Sequence, residues 1–299
     1  MKTILRYLGK LKWVRYGVRD RLIRRFYNPD KISSESFVVN FYGMKYRGSL
    51  SSYIDWSVYF FGAYEKETVE MYRELLKGEA SPLFLDIGAN VGHHSIFVSR
   101  FCERVHSFEP NPNVRISIED KISENNLKNV TVHSVGLGKK NEELQFFAPV
   151  GSNAGTGSFV EGHSPENQNI GRLHVVNADE YIKSLELNSI HFVKIDVEGF
   201  EKSVLEGMRI TLSKYSPIVV MEFSQTTKDH FVSPEDLLGL FPEGYQVFTI
   251  STNRPRFSFF NSSKFRFEKF DFNNTDGDVL CVSNLKKESL MSMGIEFPE

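Results

Sequence analysis

Short apolar runs alternate with amphipathic stretches along most of the chain. Leu83–Ile87 is a compact apolar run closing on Asp-Ile-Gly and predicts a buried strand. Gly92–Cys102, with Ile96, Phe97 and Phe101, predicts the helix after it. Val105–Phe108 predicts the next strand, and Val114, Ile118 and Ile122, at helical spacing, the next helix. Val130–Val135 alternates as a third strand. Ile190–Ile195 and Pro217–Phe223 predict two more buried strands, separated by a helix carrying Phe200, Val204 and Met208. Tyr245–Ile250 and Asp278–Ser283 close the series. Alternation of this kind specifies an α/β fold, a mostly parallel sheet with helices on both faces. Such sheets bind ligands beyond the carboxyl ends of their strands, so the chemistry belongs there.

Two stretches depart from the pattern. Gly151–Gly171 has no periodicity and many turn residues, which predicts an insertion loop inside the domain, with regular pattern resuming at His174. Near the end, Phe257, Phe259, Phe260, Phe265, Phe267, Phe270 and Phe272 crowd together. The period-two spacing of Phe265/Phe267 and of Phe270/Phe272 predicts edge or hairpin strands.

Composition narrows the class. A chain of 299 residues has room for one large α/β domain or two small ones. With 40% hydrophobic and 25% charged residues it is neither disordered nor fibrous. Two cysteines, Cys102 and Cys281, make neither a disulfide framework nor a zinc-ligand spacing, which fits a reducing cytoplasm. No run of about 18 apolar residues is present, so no membrane-spanning helix is expected. The N-terminus also lacks the apolar core of a signal peptide.

The net charge of −2 argues against binding polyanions by bulk charge, but the charge is unevenly spread. Residues 1–31 hold ten Lys and Arg against Asp20 and Asp30, a net +8. Ile4, Leu8, Leu11, Val18 and Leu22 recur there at roughly helical spacing, with Trp13 and Tyr16 beside them. Such an arm could lie on an anionic membrane surface, peripheral to an inner leaflet. The favoured alternative is that it packs one apolar stripe on its own domain, as most amphipathic helices do.

Three motifs carry candidate chemistry. In Leu85-Asp86-Ile87-Gly88-Ala89-Asn90-Val91-Gly92, a strand ends at Asp86 and a glycine turn leads into a helix. Gly88 lets the backbone turn sharply and approach a ligand. The pattern differs from the dinucleotide fingerprint, and its acid would repel a pyrophosphate while suiting a cation such as an ammonium or sulfonium. In Ser107-Phe108-Glu109-Pro110-Asn111, Glu109 ends the next strand, at about the interval that sets an acid on ribose hydroxyls. Together with Asp86 it points to an adenosine ligand. In Val193-Lys194-Ile195-Asp196-Val197-Glu198-Gly199-Phe200-Glu201, a buried strand delivers Asp196 to the sheet's carboxyl edge, and Glu198 is expected to begin the next helix. For Glu201 the plain reading is favourable placement in a helix first turn.

In this order the motifs Asp86-Ile-Gly-Ala-Asn-Val-Gly92, Phe108-Glu-Pro110 and Lys194-Ile-Asp-Val-Glu-Gly-Phe-Glu201 resemble the FkbM family of S-adenosylmethionine-dependent methyltransferases. Tyr53-Ile-Asp-Trp56 and Phe61-Gly-Ala-Tyr-Glu65 are similar to a cap region of some members. The resemblance covers about residues 35–285. It implies the class I methyltransferase (Rossmann-like) fold, a seven-stranded sheet with six parallel strands and one reversed near the C-terminus. It divides the chain into a basic arm (1–34), a cap region (35–80), a methyltransferase domain (81–285) and a tail (286–299). Where the family often has Thr-Leu-Asp, this chain has Asn177-Ala178-Asp179 and keeps the aspartate.

The resemblance also implies an activity, commonly O-methylation of a hydroxyl on a sugar, glycan or natural product, with S-adenosylmethionine as cofactor. Asp86, Gly88, Asn90 and Gly92 would line the methionine part of that cofactor, Glu109 would hold its ribose, and Pro110 and Asn111 would border the adenine. Val135 and Gly136 are weaker candidates. A sugar hydroxyl is a poor nucleophile and gains from a nearby base. Asp196 is the first candidate for that base, Glu198 the second and His94 an outsider. His93 and the remaining histidines read as solvated or structural, since none shows metal-ligand spacing, and no metal is expected. Other classes make different demands. A nucleic-acid methyltransferase could use the basic arm, but the Asn/Asp-Pro-Pro-aromatic box of amine methylation is missing and no nucleic-acid partner is expected. A metal-dependent enzyme could use Asp196 and Glu222 as ligands. A membrane-associated binding module would need no intact three-motif set.

Overall fold

The computed structural model describes residues 1–11, 13–32, 34–149, 157–252 and 265–298. The chain begins with α1 (Lys2–Lys10), α2 (Tyr16–Phe26), β1 (Ser36–Phe41), β2 (Met44–Ser49), α3 (Tyr53–Phe61) and α4 (Lys66–Leu75). Next come β3 (Leu83–Ile87), α5 (His93–Val98), β4 (Arg104–Phe108), α6 (Pro112–Asn125), β5 (Val130–His133), β6 (Gly136–Gly138), β7 (Glu142–Pro149) and β8 (Asn167–Asn177). Then follow α7 (Ala178–Ser184), β9 (Phe192–Ile195), α8 (Glu201–Gly207), α9 (Arg209–Tyr215) and β10 (Ile218–Phe223). The chain finishes with α10 (Gln225–Lys228), α11 (Pro234–Leu238), β11 (Tyr245–Ser251), β12 (Arg266–Lys269), β13 (Gly277–Ser283) and α12 (Asn284–Ser292).

The large sheet has the order β12-β11-β13-β10-β9-β3-β4-β5. Strands β10, β9, β3, β4 and β5 are mutually parallel, and β13 runs antiparallel to both β10 and β11. This is the expected class I methyltransferase sheet, extended by an eighth strand. That addition, β12, pairs antiparallel at the edge of β11 and carries buried Phe267, as the Phe265/Phe267 spacing predicts. Phe270 and Phe272 fall outside it and pack against Phe223. Phe257, Phe259 and Phe260 lie outside the described residues.

The central strands form because their side chains are covered on both faces, which selects continuous apolar runs. All five residues of β3 are buried. Leu83, Leu85 and Ile87 enter one core layer, with Val193, Val219 and Val204. Phe84 points to the other face, where it stacks on Phe192 at 4.8 Å. Helix α6 starts at Asn111, whose side chain accepts from the Asn113 amide at 3.0 Å, with Pro112 in the first turn.

The pattern between β5 and α7 is where the structure departs most from expectation. The regular structure resumes at Asn167 rather than His174, and β6, β8 and β7 build a small separate sheet. Residues 151–156 of the predicted loop lie outside the described residues. Strand β8 is largely solvent-facing along Asn167–His174, so it lacks the apolar alternation that reveals a half-buried strand.

The arm packs on the cap region. Leu5 of α1 and Ile23 of α2 join Leu50, Trp56 and Phe60 in a third core cluster. The Trp56 indole donates to the Tyr27 carbonyl at 2.8 Å, and buried Arg19 donates to the Gly9 carbonyl. The cap is fastened in turn by buried Lys121 of α6, which lies 3.8 Å from Asp55 and donates to the Val91 carbonyl at 3.0 Å. Residues after 285, expected as a tail, carry most of α12 and set Phe297 against Phe248 and Phe267. Among the described residues no helix is long and apolar enough to cross a membrane.

Deleting residues 1–31 would uncover Trp56 and Phe60, both fully buried, each worth about 2 kcal/mol of burial. The truncated chain is therefore expected to melt several degrees lower and to lose soluble yield. Equal melting and yield would show that the arm contributes nothing to the fold.

Candidate active site

A cavity of about 320 Å³ opens at the carboxyl ends of β3, β4 and β9, where the sheet order reverses direction. Two turns meet at its floor. The Gly88 and Ala89 amides both donate to the Phe108 carbonyl, at 3.0 and 3.1 Å, and the Asp196 amide donates to the Ile87 carbonyl at 3.0 Å. Gly88 has φ +82°, and a Cβ there would stand 1.8 Å from the Asp196 carbonyl oxygen. Only glycine fits between the two turns.

Glu109 sits at the inner end of the cavity. Its Oε2 accepts from the Asn90 amide at 2.8 Å and its Oε1 from the Asn111 amide at 2.9 Å. Each carboxylate oxygen keeps a second lone pair. Burial pushes Glu109 up to about 7, against the pull of the two amides. Gly88, Asn90, Glu109, Pro110 and Asn111 all line the cavity, together with Gly136.

Two expected wall residues stand behind it. Asp86 shares the Phe84 face of β3 by strand alternation, so it points under α5 and is fully buried. There it accepts from the Ser95 hydroxyl, and its Oδ1 has no hydrogen-bond partner but lies 3.6 Å from the Lys194 ammonium. Gly92 caps the start of α5 with φ +79°, packed against Ile118. Val135 is likewise absent from the cavity wall.

Asp196 and Glu198 line the outer part of the cavity. The Lys194 ammonium reaches Asp196 at 3.1 Å while touching Asp86 behind, so one cation ties the hidden acid to the exposed one. Burial alone would lower the Lys194 pKa, but Asp196 and Asp86 outweigh it and raise it. Glu198 does not begin a helix. It sits in the preceding turn with φ +54°, and its carboxylate meets His163 Nε2 at 2.7 Å. That contact raises the His163 pKa. Helix α8 starts at Glu201, whose buried carboxylate accepts from the Val197 and Gly199 amides and from the Thr227 hydroxyl. Glu201 is thus the brace of the turn that presents Asp196 and Glu198. Asp179 has a similar task, accepting from the Ile210 and Thr211 amides at the start of α9.

His93 and His94 both border the cavity but are buried, which lowers His93 to about 3 and His94 as well. Both are neutral, and His93 Nε2 accepts from the Tyr64 amide. Glu222 pairs in register with Asp278 outside the cavity wall, and burial beside other acids raises its pKa. Among the described residues no cluster of three or more His, Cys, Asp or Glu is placed to hold a metal ion.

The sequence reading missed the rest of the wall. Arg24 and Asp30 from the arm, Tyr53 and Tyr64 from the cap, and Phe159 from the small-sheet insertion close the outer cavity. Arg24 lies 3.5 Å from Asp30 and 4.8 Å from the centre of the Tyr53 ring. Only the cap resemblance, at Tyr53 and Tyr64, hinted at any of these.

Comparison with known proteins gives four findings. The hexuronic acid methyltransferase AglP of Haloferax volcanii is 28% identical over 160 residues, covering 52% of this chain. The match spans 61% of that relative's length. Among solved structures, an FkbM methyltransferase from Methylobacillus flagellatus KT is 19% identical, covering 67% of this chain and 43% of its own, with a TM-score of 0.42. An O-methyltransferase from Bacillus cereus, solved with SAH, is 12% identical over 74% of this chain and 82% of its own, with a TM-score of 0.42. The methyltransferase FkbM domain matches residues 86–247, more than half of the chain and a span that holds all three motifs. The chain belongs to the FkbM methyltransferase family.

Proposed function

We propose that this protein moves a methyl group from S-adenosylmethionine to a hydroxyl of a sugar or glycan. The observation that carries the reading is the pairing of two carboxylates across the Gly88 turn, Glu109 inside the cavity and Asp196 toward its mouth. The spare lone pairs of Glu109 suit the vicinal hydroxyls of an unphosphorylated ribose. Pro110 and Asn111 would flank the adenine, and the Gly88 and Asn90 backbone would follow the methionine part. When bound, the cofactor supplies a methyl carbon already activated by its sulfonium. The acids of the cleft, with Asp86 behind, suit that cation.

The protein's share of the reaction is alignment, exclusion of water and disposal of one proton. With cofactor and acceptor bound, Asp196 would take the proton of the acceptor hydroxyl as that oxygen is methylated. Lys194 fixes the orientation of that carboxylate. Tyr53, Tyr64 and Phe159 give the apolar surface on which a sugar ring could lie and from which water is kept. Sugar as the acceptor is further supported by what AglP is named for. A cytoplasmic setting is consistent with Cys102 and Cys281, both buried free thiols.

The test is calorimetric titration with S-adenosylmethionine and with NAD, followed by a radiolabelled-methyl assay on glycan pools, nucleic acid and small acceptors. Micromolar binding of the first ligand alone, about −8 kcal/mol, and label in carbohydrate are expected. Label in RNA or DNA would replace the sugar reading with a nucleic-acid one.

A further inference from the structure

The face of the arm that does not pack on the cap is both apolar and basic. On α2, Val18, Leu22 and Phe26 follow one another at i, i+4 and i+8 and form a single exposed ridge. Arg21 and Arg25 are exposed beside that ridge, and neither forms an ion pair among the described residues. Ile4 and Tyr7 of α1, and Trp13 in the connecting turn, are 70–72% exposed. Lys10 and Lys31 are exposed as well, and Asp30 is the one exposed acid among the described residues of 1–31. The helices need no membrane to fold, because Leu5 and Ile23 already anchor their opposite side. The exposed apolar side chains therefore have no part in the core.

We infer that this face docks peripherally on an anionic lipid bilayer. Large apolar side chains alternating with Lys and Arg match an interface where acyl chains lie beneath anionic headgroups. A second copy of the chain fits worse, because a two-fold contact would set Arg21 and Arg25 against their own positive counterparts. A nucleic acid would meet the charges but leave Trp13, Leu22 and Phe26 without an apolar partner. The arm's other side contributes Arg24 and Asp30 to the cavity wall, so docking would set that wall about one helix diameter, roughly 10 Å, from the headgroups. A hydroxyl carried on a lipid-anchored acceptor would then be concentrated there. The docking itself rests on the exposed surface, not on the methyl-transfer reading.

The experiment is co-sedimentation of the full chain with vesicles of phosphatidylcholine alone, or with about one-third phosphatidylglycerol. Binding to the anionic vesicles at low salt, release at high salt and no binding to the neutral ones are expected. Arg21→Gln with Arg25→Gln should weaken partitioning roughly 25-fold, since each basic residue near the surface contributes about fivefold. Leu22→Glu with Phe26→Glu should abolish it. All four positions are exposed, so melting temperature and S-adenosylmethionine affinity should stay as in the parent chain. Failure of the parent chain to bind anionic vesicles, equal binding to neutral ones, or unchanged binding in both double variants would overturn the inference. So would self-association or duplex DNA binding that the same substitutions remove while vesicle binding persists. Loss of cofactor binding in the parent would count against the proposed reaction and leave the vesicle result standing.

Discussion

Glu109→Ala is expected to weaken binding of S-adenosylmethionine and its demethylated product by about 1.5–3 kcal/mol, the scale of hydrogen bonds to a charged group. The loss has two sources in the structure. Both acceptors proposed for the ribose go, and the Asn90 and Asn111 amides lose the carboxylate that fixes their turns. Glu109→Gln separates the two, since it keeps one acceptor and much of the shape. Unchanged affinity in both variants would remove Glu109 from the site.

The same residue predicts a pH dependence with a definite sign. Burial raises Glu109 to about 7 in the free protein, above the ordinary carboxylate range. Holding its proton therefore favours the fold at low pH, and that contribution fades as pH rises from about 4.5 toward 7. Ligand hydroxyls donate to the ionised form, so binding lowers this pKa and releases a proton below neutrality. Cofactor affinity should accordingly rise from about pH 5 to about pH 7 and then flatten. In Glu109→Gln that slope should vanish. A slope that survives the substitution would assign the titration to another group.

How far the sequence discloses this site depends on where each residue's information lies. Strands β3, β4 and β9 are legible because strands buried on both faces read as apolar runs, and an acid ending such a run stands out. Asp86 ends the same kind of run, yet the alternation of β3 turns it under α5, and only the register with Lys194 reveals its link to Asp196. Glu201 looks like a helix first-turn acid in sequence, whereas its two amide contacts make it the brace of the preceding turn. The arm shows the same limit from the opposite side. Periodicity finds the stripe of Ile4, Val18 and Leu22, but the residues that enter the core are Leu5 and Ile23. An amphipathic pattern says that a helix has an apolar side, not what covers it. The contribution of Arg24 to the cavity, far from every cofactor motif in sequence, depends wholly on that packing.

Asp196→Asn should lower turnover by about 10²–10⁴-fold, the range for removing a positioned general base, while leaving cofactor affinity largely intact. The side chain stands at the mouth of the cavity, apart from the Glu109 end, and its shape is kept by the amide. Lys194 would lose one of its two carboxylate partners but retain Asp86, so the fold beneath the site should hold. Glu198→Gln serves as the comparison. Its carboxylate is already engaged by His163 at 2.7 Å, so a smaller loss, about tenfold, is expected if that pair only shapes the wall. The reverse order of effects would transfer the role of base to Glu198 with His163 behind it. A chelator should leave the rate of the parent enzyme unchanged, and loss of activity restored by magnesium would instead make Asp196 a metal ligand. Full activity in Asp196→Asn would leave it a structural partner of Lys194, with the proton of the acceptor hydroxyl going elsewhere.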